Sequence, residues 1–147
     1  MMEEPNFDLK KILVGVDNSD DAQKAFKYAI KLSKITGAKL FIVTVLEDHD
    51  MNVYEVLDDD FIHGKREDVE QHVQEYVKVA EEAGIQDVQG VIAEGNPGEV
   101  IVEDVIPKYH PDLLIIGSLD VKSPKKLFGS QAASMAKHSP ISVLVIR

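Results

Sequence analysis

Two short stretches of this chain combine residue types that can hold an anion. In Gly15-Val16-Asp17-Asn18-Ser19, an apolar run ends on a glycine and a carboxylate just before a segment of helical period. In Ile116-Gly117-Ser118 a second apolar run also ends on glycine, and the chain reaches Gly129-Ser130-Gln131, where another helical period starts. Glycine lets backbone N–H groups approach an anion with no β-carbon in the way, and a following helix adds the positive end of its dipole. Lys122, Lys125 and Lys126 lie between the two glycines, a local positive charge in an acidic chain. The spacing matches neither G-x-x-x-x-G-K-[ST] nor G-x-G-x-x-G. Pattern alone therefore leaves a second reading open, in which Gly117 ends a strand, Gly129 starts a helix and the lysines are a solvated face.

Other chemistries find less support. Ser118, Ser130 and Ser134 lack the G-x-S-x-G elbow that exposes a hydrolase nucleophile, and no His–Asp pair is placed beside them. The expectation is a protein that binds and does not catalyse. His49, His63, His72, His110 and His138 show no H-E-x-x-H or other close ligand spacing and read as surface residues. With no cysteine in the chain, disulfides, thiol catalysis and Cys-based metal sites are excluded. A formal charge of -10 opposes the basic footprint that nucleic-acid backbones require. No positive n-region precedes an apolar stretch, and no apolar run approaches the roughly 20 residues that span a bilayer. A cytoplasmic location without membrane contact is expected.

These candidate residues must be positioned by the elements around them. Residues 1–9 read as a flexible acidic tail and 10–147 as one domain, in which apolar blocks of strand length alternate with helical periods. That alternation predicts βαβ units and a parallel sheet. Five strands are expected, at Lys11 to Asp17, Ala38 to Leu46, Val88 to Glu94, Leu113 to Gly117 and Ser142 to Ile146. Ser19 caps the first helix, Asp20 and Asp21 suit its dipole, and Gly37 stops it. Val69, Val73, Tyr76, Val77, Ala80 and Ala83 form the buried stripe of a second helix that ends at Gly84. Asn96, Pro97 and Glu99 start a third, which Pro107 should end or kink early. A last helix runs from Gly129 or Ser130 to His138. Glu47 to His63, rich in aspartate, reads as a mobile excursion with a short helical piece, a lid or a partner contact.

In an open parallel sheet the ligand lies beyond the carboxyl ends of the strands, where the strand order reverses. The motifs that could line such a crevice resemble those of the universal stress proteins. The resemblance runs from Lys10 to Arg147 and is carried by Lys11-Ile12-Leu13-Val14-Gly15-Val16-Asp17-Asn18-Ser19, Gly95-Asn96-Pro97-Gly98-Glu99-Val100-Ile101, Asp112-Leu113-Leu114-Ile115-Ile116-Gly117-Ser118, and Gly129-Ser130 through Ser139-Pro140-Ile141-Ser142-Val143-Leu144-Val145-Ile146.

The resemblance implies an α/β fold with a five-stranded parallel sheet in the order 3-2-1-4-5 and helices on both faces. It also implies a site for ATP or another adenine nucleotide between the ends of strands 1 and 4. Asp17 would meet the ribose and backbone at Val45 the adenine, with Gly15 and Val16 beside Asp17 in the site. A G-2x-G-9x-G-[ST] loop would hold the phosphates, matched here by Gly117, Gly129 and Ser130, with Ile116, Ser118 and Gln131 beside them. The chain departs from that loop twice: Asp120 stands where the second glycine belongs, and the spacer to Gly129 is one residue short. A carboxylate there repels phosphate unless a cation such as Mg²⁺ lies between. The alternative is a ligand-free dimeric interaction module of the same family. A phospho-receiver domain shares the alternation, but the third strand ends in Ala93-Glu94-Gly95, without an acceptor aspartate. The resemblance also implies a homodimer through the last strand, 142–146, a sheet edge that would otherwise stay unpaired.

Overall fold

A computed structural model of the chain describes residues 8–17, 19–47, 59–118 and 129–147. The elements run β1 (Lys11–Gly15), α1 (Asp20–Thr36), β2 (Lys39–Leu46), α2 (Asp59–Glu82), β3 (Val88–Glu94), α3 (Pro97–Val100), a π-helical turn (Ile101–Val105), α4 (Ile106–Tyr109), β4 (Leu113–Gly117), α5 (Ser130–His138) and β5 (Ser142–Ile146). All strand pairings are parallel, in the order β3-β2-β1-β4-β5. The strands are near-continuous in apolar residues because helices cover both faces, so successive side chains enter different cores. Ile12, Val14, Leu40, Ile42 and Ile115 pack with Ala25, Phe26 and Ala29 of α1 and Ala80 of α2. Leu13, Phe41, Val43, Leu114 and Ile116 pack on the other face with Val100, Ile101, Val105, Ile106 and, from α5, Ala132 and Met135.

Register at the sheet's amino end is set by Asp112, whose Oδ2 accepts the backbone N–H groups of Lys10 and Lys11, each at 2.9 Å. The expected caps of α1 are present. Ser19 Oγ accepts from Ala22 N, and Gly37 takes a left-handed φ of 74° while donating to Ser33 O.

Three boundaries differ from the sequence reading. β1 ends at Gly15, two residues before Asp17, because Asp17 leaves the ladder and turns its carboxylate onto Ser19, the residue that caps α1. The span assigned to an excursion through His63 is helical from Asp59 onward, so α2 is three turns longer on its amino side than its apolar stripe alone required; residues 48–58 lie outside the described residues. Pro107 does not itself end the helix. It has no N–H to donate, and the π-helical turn just before it widens the helix, which then continues to Tyr109 and stops at His110 with φ 53°. Among the described residues no helix is long and apolar enough to cross a membrane.

α2 lies close on the sheet because Gly90 in β3 has no side chain. A β-carbon there would sit 2.4 Å from Val73 Cγ1 and 3.2 Å from Val77 Cγ2, and neither branched side chain can swing away freely. Gly90→Ala should therefore destabilise the protein by about 1–3 kcal/mol. Urea unfolding measures this, and adding Val73→Ala should return part of the loss by vacating the contested space.

Candidate functional site

The first corner forms where β1 gives way to α1. Val16 prolongs the pairing with β2, its N–H donating to Val43 O at 2.9 Å, while Thr44 Oγ1 donates to Val16 O at 3.1 Å. Asp17 then folds its carboxylate back on the helix start. Its Oδ1 accepts from Ser19 N at 2.8 Å and Ser19 Oγ at 2.6 Å, and Ser19 Oγ in turn accepts from Ala22 N. Gln23 Nε2 closes the turn by donating to Asp17 O at 2.9 Å. The start of α1 is thus capped from within the chain, with Ser19 N and Ala22 N both donating to side chains.

The second corner is built around Gly117 and Ser118. A β-carbon at Gly117 would lie 2.7 Å from Ala22 N and 2.8 Å from Asp21 C, so the backbone of α1 occupies the space a side chain would need. Ser118 is buried, as is Asp21, and its Oγ donates to Asp21 Oδ2 at 2.5 Å. Its N–H donates to Ile146 O at 2.8 Å, and its carbonyl accepts from Gly129 N at 2.7 Å. One residue thus joins β4 to α1, to the end of β5, and to the far end of the 119–128 segment.

Beyond Gly129 the chain enters α5, and glycine as the capping residue provides no side-chain acceptor for the first-turn N–H groups. α3 differs. Asn96 Oδ1 accepts from Glu99 N at 3.3 Å, and Gln131 of α5 reaches across so that its Oε1 accepts from Gly98 N at 2.7 Å. Of the helices α1, α3 and α5, all starting at the carboxyl end of the sheet, α5 is the one whose start has no side-chain cap among the described residues.

The structure thus gathers Gly117, Ser118 and Gly129 directly, with Ser130 and Gln131 on the first turn of α5. Gly15 lies beside Ile116: a β-carbon on it would be 3.6 Å from Ile116 Cγ2, an ordinary contact, so packing alone does not demand glycine there. Val45 lies further out along β2, paired with Ala93, and it is Thr44 that reaches β1. Asp120 and the three lysines lie outside the described residues. Sequence reasoning missed Asp21, assigned only to the helix dipole. The usable signal was a second acid in the first turn of α1 and a serine directly after a strand-ending glycine. A separate groove of about 490 Å³ lies between α2 and β3, lined by Arg66, Glu70, Val73, Gln74, Val77, Gly90 and Ile92. Its guanidinium is held by Glu70 and Glu94, and it does not adjoin either corner.

The Asp21–Ser118 contact has a measurable consequence. Ser118→Ala leaves a buried carboxylate without that donor and should lower stability by about 1–3 kcal/mol. Asp21→Asn in the same background should recover part of it, because a neutral amide is cheaper to bury. Thermal unfolding of the two variants checks both signs.

With this geometry in hand, the comparisons are specific. The sequence model described as the universal stress protein family matches residues 8–147. A Staphylococcus aureus (strain USA300) protein assigned to the universal stress proteins is 32% identical over 139 residues, covering 94% of this chain and 84% of that protein. The structure of universal stress protein UspA from Lactobacillus plantarum superposes with a TM-score of 0.85 at 23% identity, over 97% of this chain and all of that one. The universal stress protein from Archaeoglobus fulgidus in complex with dAMP gives 0.67 at 19% identity, over 96% of this chain and all of that one. At such identities the two structures establish the fold, and the family model with the S. aureus relative establishes more: this chain belongs to the universal stress protein family.

Proposed function

We propose that the chain is a cytoplasmic stress-response protein that binds an adenine nucleotide without turning it over. The observation that carries this reading is the start of α5, which among the described residues has no side-chain cap, while those of α1 and α3 have theirs. A phosphate is the natural acceptor for such a helix start. The second oxygen of Asp17 is not used in the turn with Ser19 and is available to a ribose hydroxyl. The dAMP complex of the A. fulgidus relative supports the same ligand class. Asp120 suits a triphosphate only with Mg²⁺ between them, since that ion takes carboxylate and phosphate oxygens together. The polar side chains of the corners favour binding over catalysis, because Ser19, Ser118 and Gln131 are engaged in holding backbone or helix starts.

Isothermal titration with ATP, with and without Mg²⁺, tests the proposal, alongside mass spectrometry of small molecules released from the purified protein. Asp120→Gly should raise ATP affinity about tenfold, or roughly 1.4 kcal/mol, and remove most of the Mg²⁺ requirement. No heat with either protein would favour the ligand-free module, a reading that the short spacer and the occupied Oδ1 of Asp17 also support.

We also place a homodimer contact at β5. It is the edge of the sheet beside β4, its residues 143–146 are half-buried, and edge-to-edge pairing would satisfy backbone groups that are otherwise an aggregation hazard. Val145→Lys, and Val143→Lys on the same face, should lower the weight-average sedimentation coefficient below that of the wild type at equal concentration; a value unchanged in both would refute this contact.

A further inference from the structure

Tyr28, Ile35 and Val79 are the large apolar side chains exposed among the described residues, at 51%, 74% and 48%. All three lie on one side of the molecule, because α1 and α2 cover the same face of the sheet. The two helices run side by side in the same direction. Phe26 meets Tyr76 with ring centroids 5.2 Å apart, Gln23 Nε2 donates to Tyr76 OH, and a β-carbon at Gly84 would sit 3.8 Å from Lys34 Cε. Residues of α1 therefore stand level with residues about fifty positions later in α2.

Their outward faces carry opposite charge. α1 exposes Lys24, Lys27, Lys31 and Lys34, which helical spacing places on one stripe with Tyr28 and Ile35. α2 exposes Asp68, Glu75 and Glu82 on one stripe with Val79, with Lys78 at its margin. Among the described residues none of these lysines and acids is in an ion pair. A basic ridge and an acidic ridge, each with an apolar centre, thus lie in parallel on the same surface.

We infer that this surface is self-complementary and docks a second copy of the chain. A two-fold axis running between the helices and along them lays α1 of each copy over α2 of the other. Levels then match: Lys24 falls against Glu75 of the partner subunit, Lys31 against the partner's Glu82, and Tyr28 against the partner's Val79. Two-fold symmetry makes every contact twice. A different acidic partner would satisfy the lysines but would leave the acids of α2 facing it unpaired, and an anionic membrane would be repelled by them. A second copy answers both ridges, which decides the occupant. The contact is independent of the nucleotide site and of the β5 edge.

Complementary charge reversal tests it. One variant carries Lys24→Glu and Lys31→Glu; the other carries Glu75→Lys and Glu82→Lys. Alone, each sets like charge against like, and its weight-average sedimentation coefficient should fall below that of the wild type at equal concentration. Mixed in equal amounts they restore opposite charge at every contact, and the wild-type value should return. Net charge alone predicts otherwise, since the second variant is less negative than the wild type and would associate more. A second measurement uses the absence of cysteine: Tyr28→Cys mixed with Val79→Cys should form a disulfide-linked pair under mild oxidation. Variants that sediment like the wild type alone, a mixture that fails to recover, or cysteine variants that do not cross-link would overturn the inference.

Discussion

At the carboxyl end of this sheet the first turn of α1 and the end of β4 compete for one volume, and the contact is possible because residue 117 is a glycine. The backbone of Asp21 and Ala22 fills the position of the missing β-carbon, and once it is there the neighbouring serine must be buried too. A buried hydroxyl and a buried carboxylate need partners, and Ser118 and Asp21 satisfy one another. The remaining groups of Ser118 then fix the end of β5 and the approach of Gly129. Close packing at one residue thus determines where the connection after β4 leaves the sheet and where it returns.

What the corners can hold follows from how their hydrogen-bond donors are allotted. Every α-helix exposes N–H groups at its start, and an N-terminus near the end of a parallel sheet is an anion site only if the chain does not fill it. At α1, Ser19 N and Ala22 N are taken by Asp17 and Ser19, and at α3, Gly98 N and Glu99 N are taken by Gln131 and Asn96. α5 begins on Gly129, and the same Gln131 that would serve as its first-turn side chain is turned toward Gly98 instead. The candidate site is therefore defined less by residues that reach toward a ligand than by a helix start that, among the described residues, no side chain caps.

Much of this was legible in the sequence, and the parts that were not have physical reasons. Strands β3, β4 and β5 stand at their expected residues, since a strand buried on both faces is an unbroken apolar run that turn residues interrupt sharply. The strand order had to be drawn from resemblance, because parallel pairing leaves no local mark on sequence. The end of β1 was overread, as Val16 continues the apolar, strand-forming pattern while the carboxylate of Asp17 is needed by Ser19. Pro107 marked a disturbed helix but not its form: a π-helical turn takes up the disturbance before the proline and the helix ends two residues after it. At the site, glycine spacing pointed to Gly117 and Gly129, but the reason for Gly117 is steric contact with α1 rather than proximity to a ligand. Asp21 escaped because a surface acid in a first turn and a buried one have the same local sequence.

The distribution of charge unites these features. An anionic nucleotide approaching a chain with net charge -10 meets repulsion at long range, so attraction must be local. A capless helix start supplies attraction over a single turn, which is why the allotment of caps weighs more here than overall charge. The same reasoning applies to α1, whose exposed side concentrates lysines although the molecule as a whole is acidic. Lysines at helical spacing on the side opposite Ala22, Ala25 and Ala29 are not required by the fold, which is met by the small residues of the buried stripe. α1 is thus constrained on every side: its start is locked to Ser118, its inner face is fitted to β4 and β1, and its outer face holds the positive charge. A displacement at Gly117 would move all three together, since a helix of 17 residues packed along its length shifts as one body.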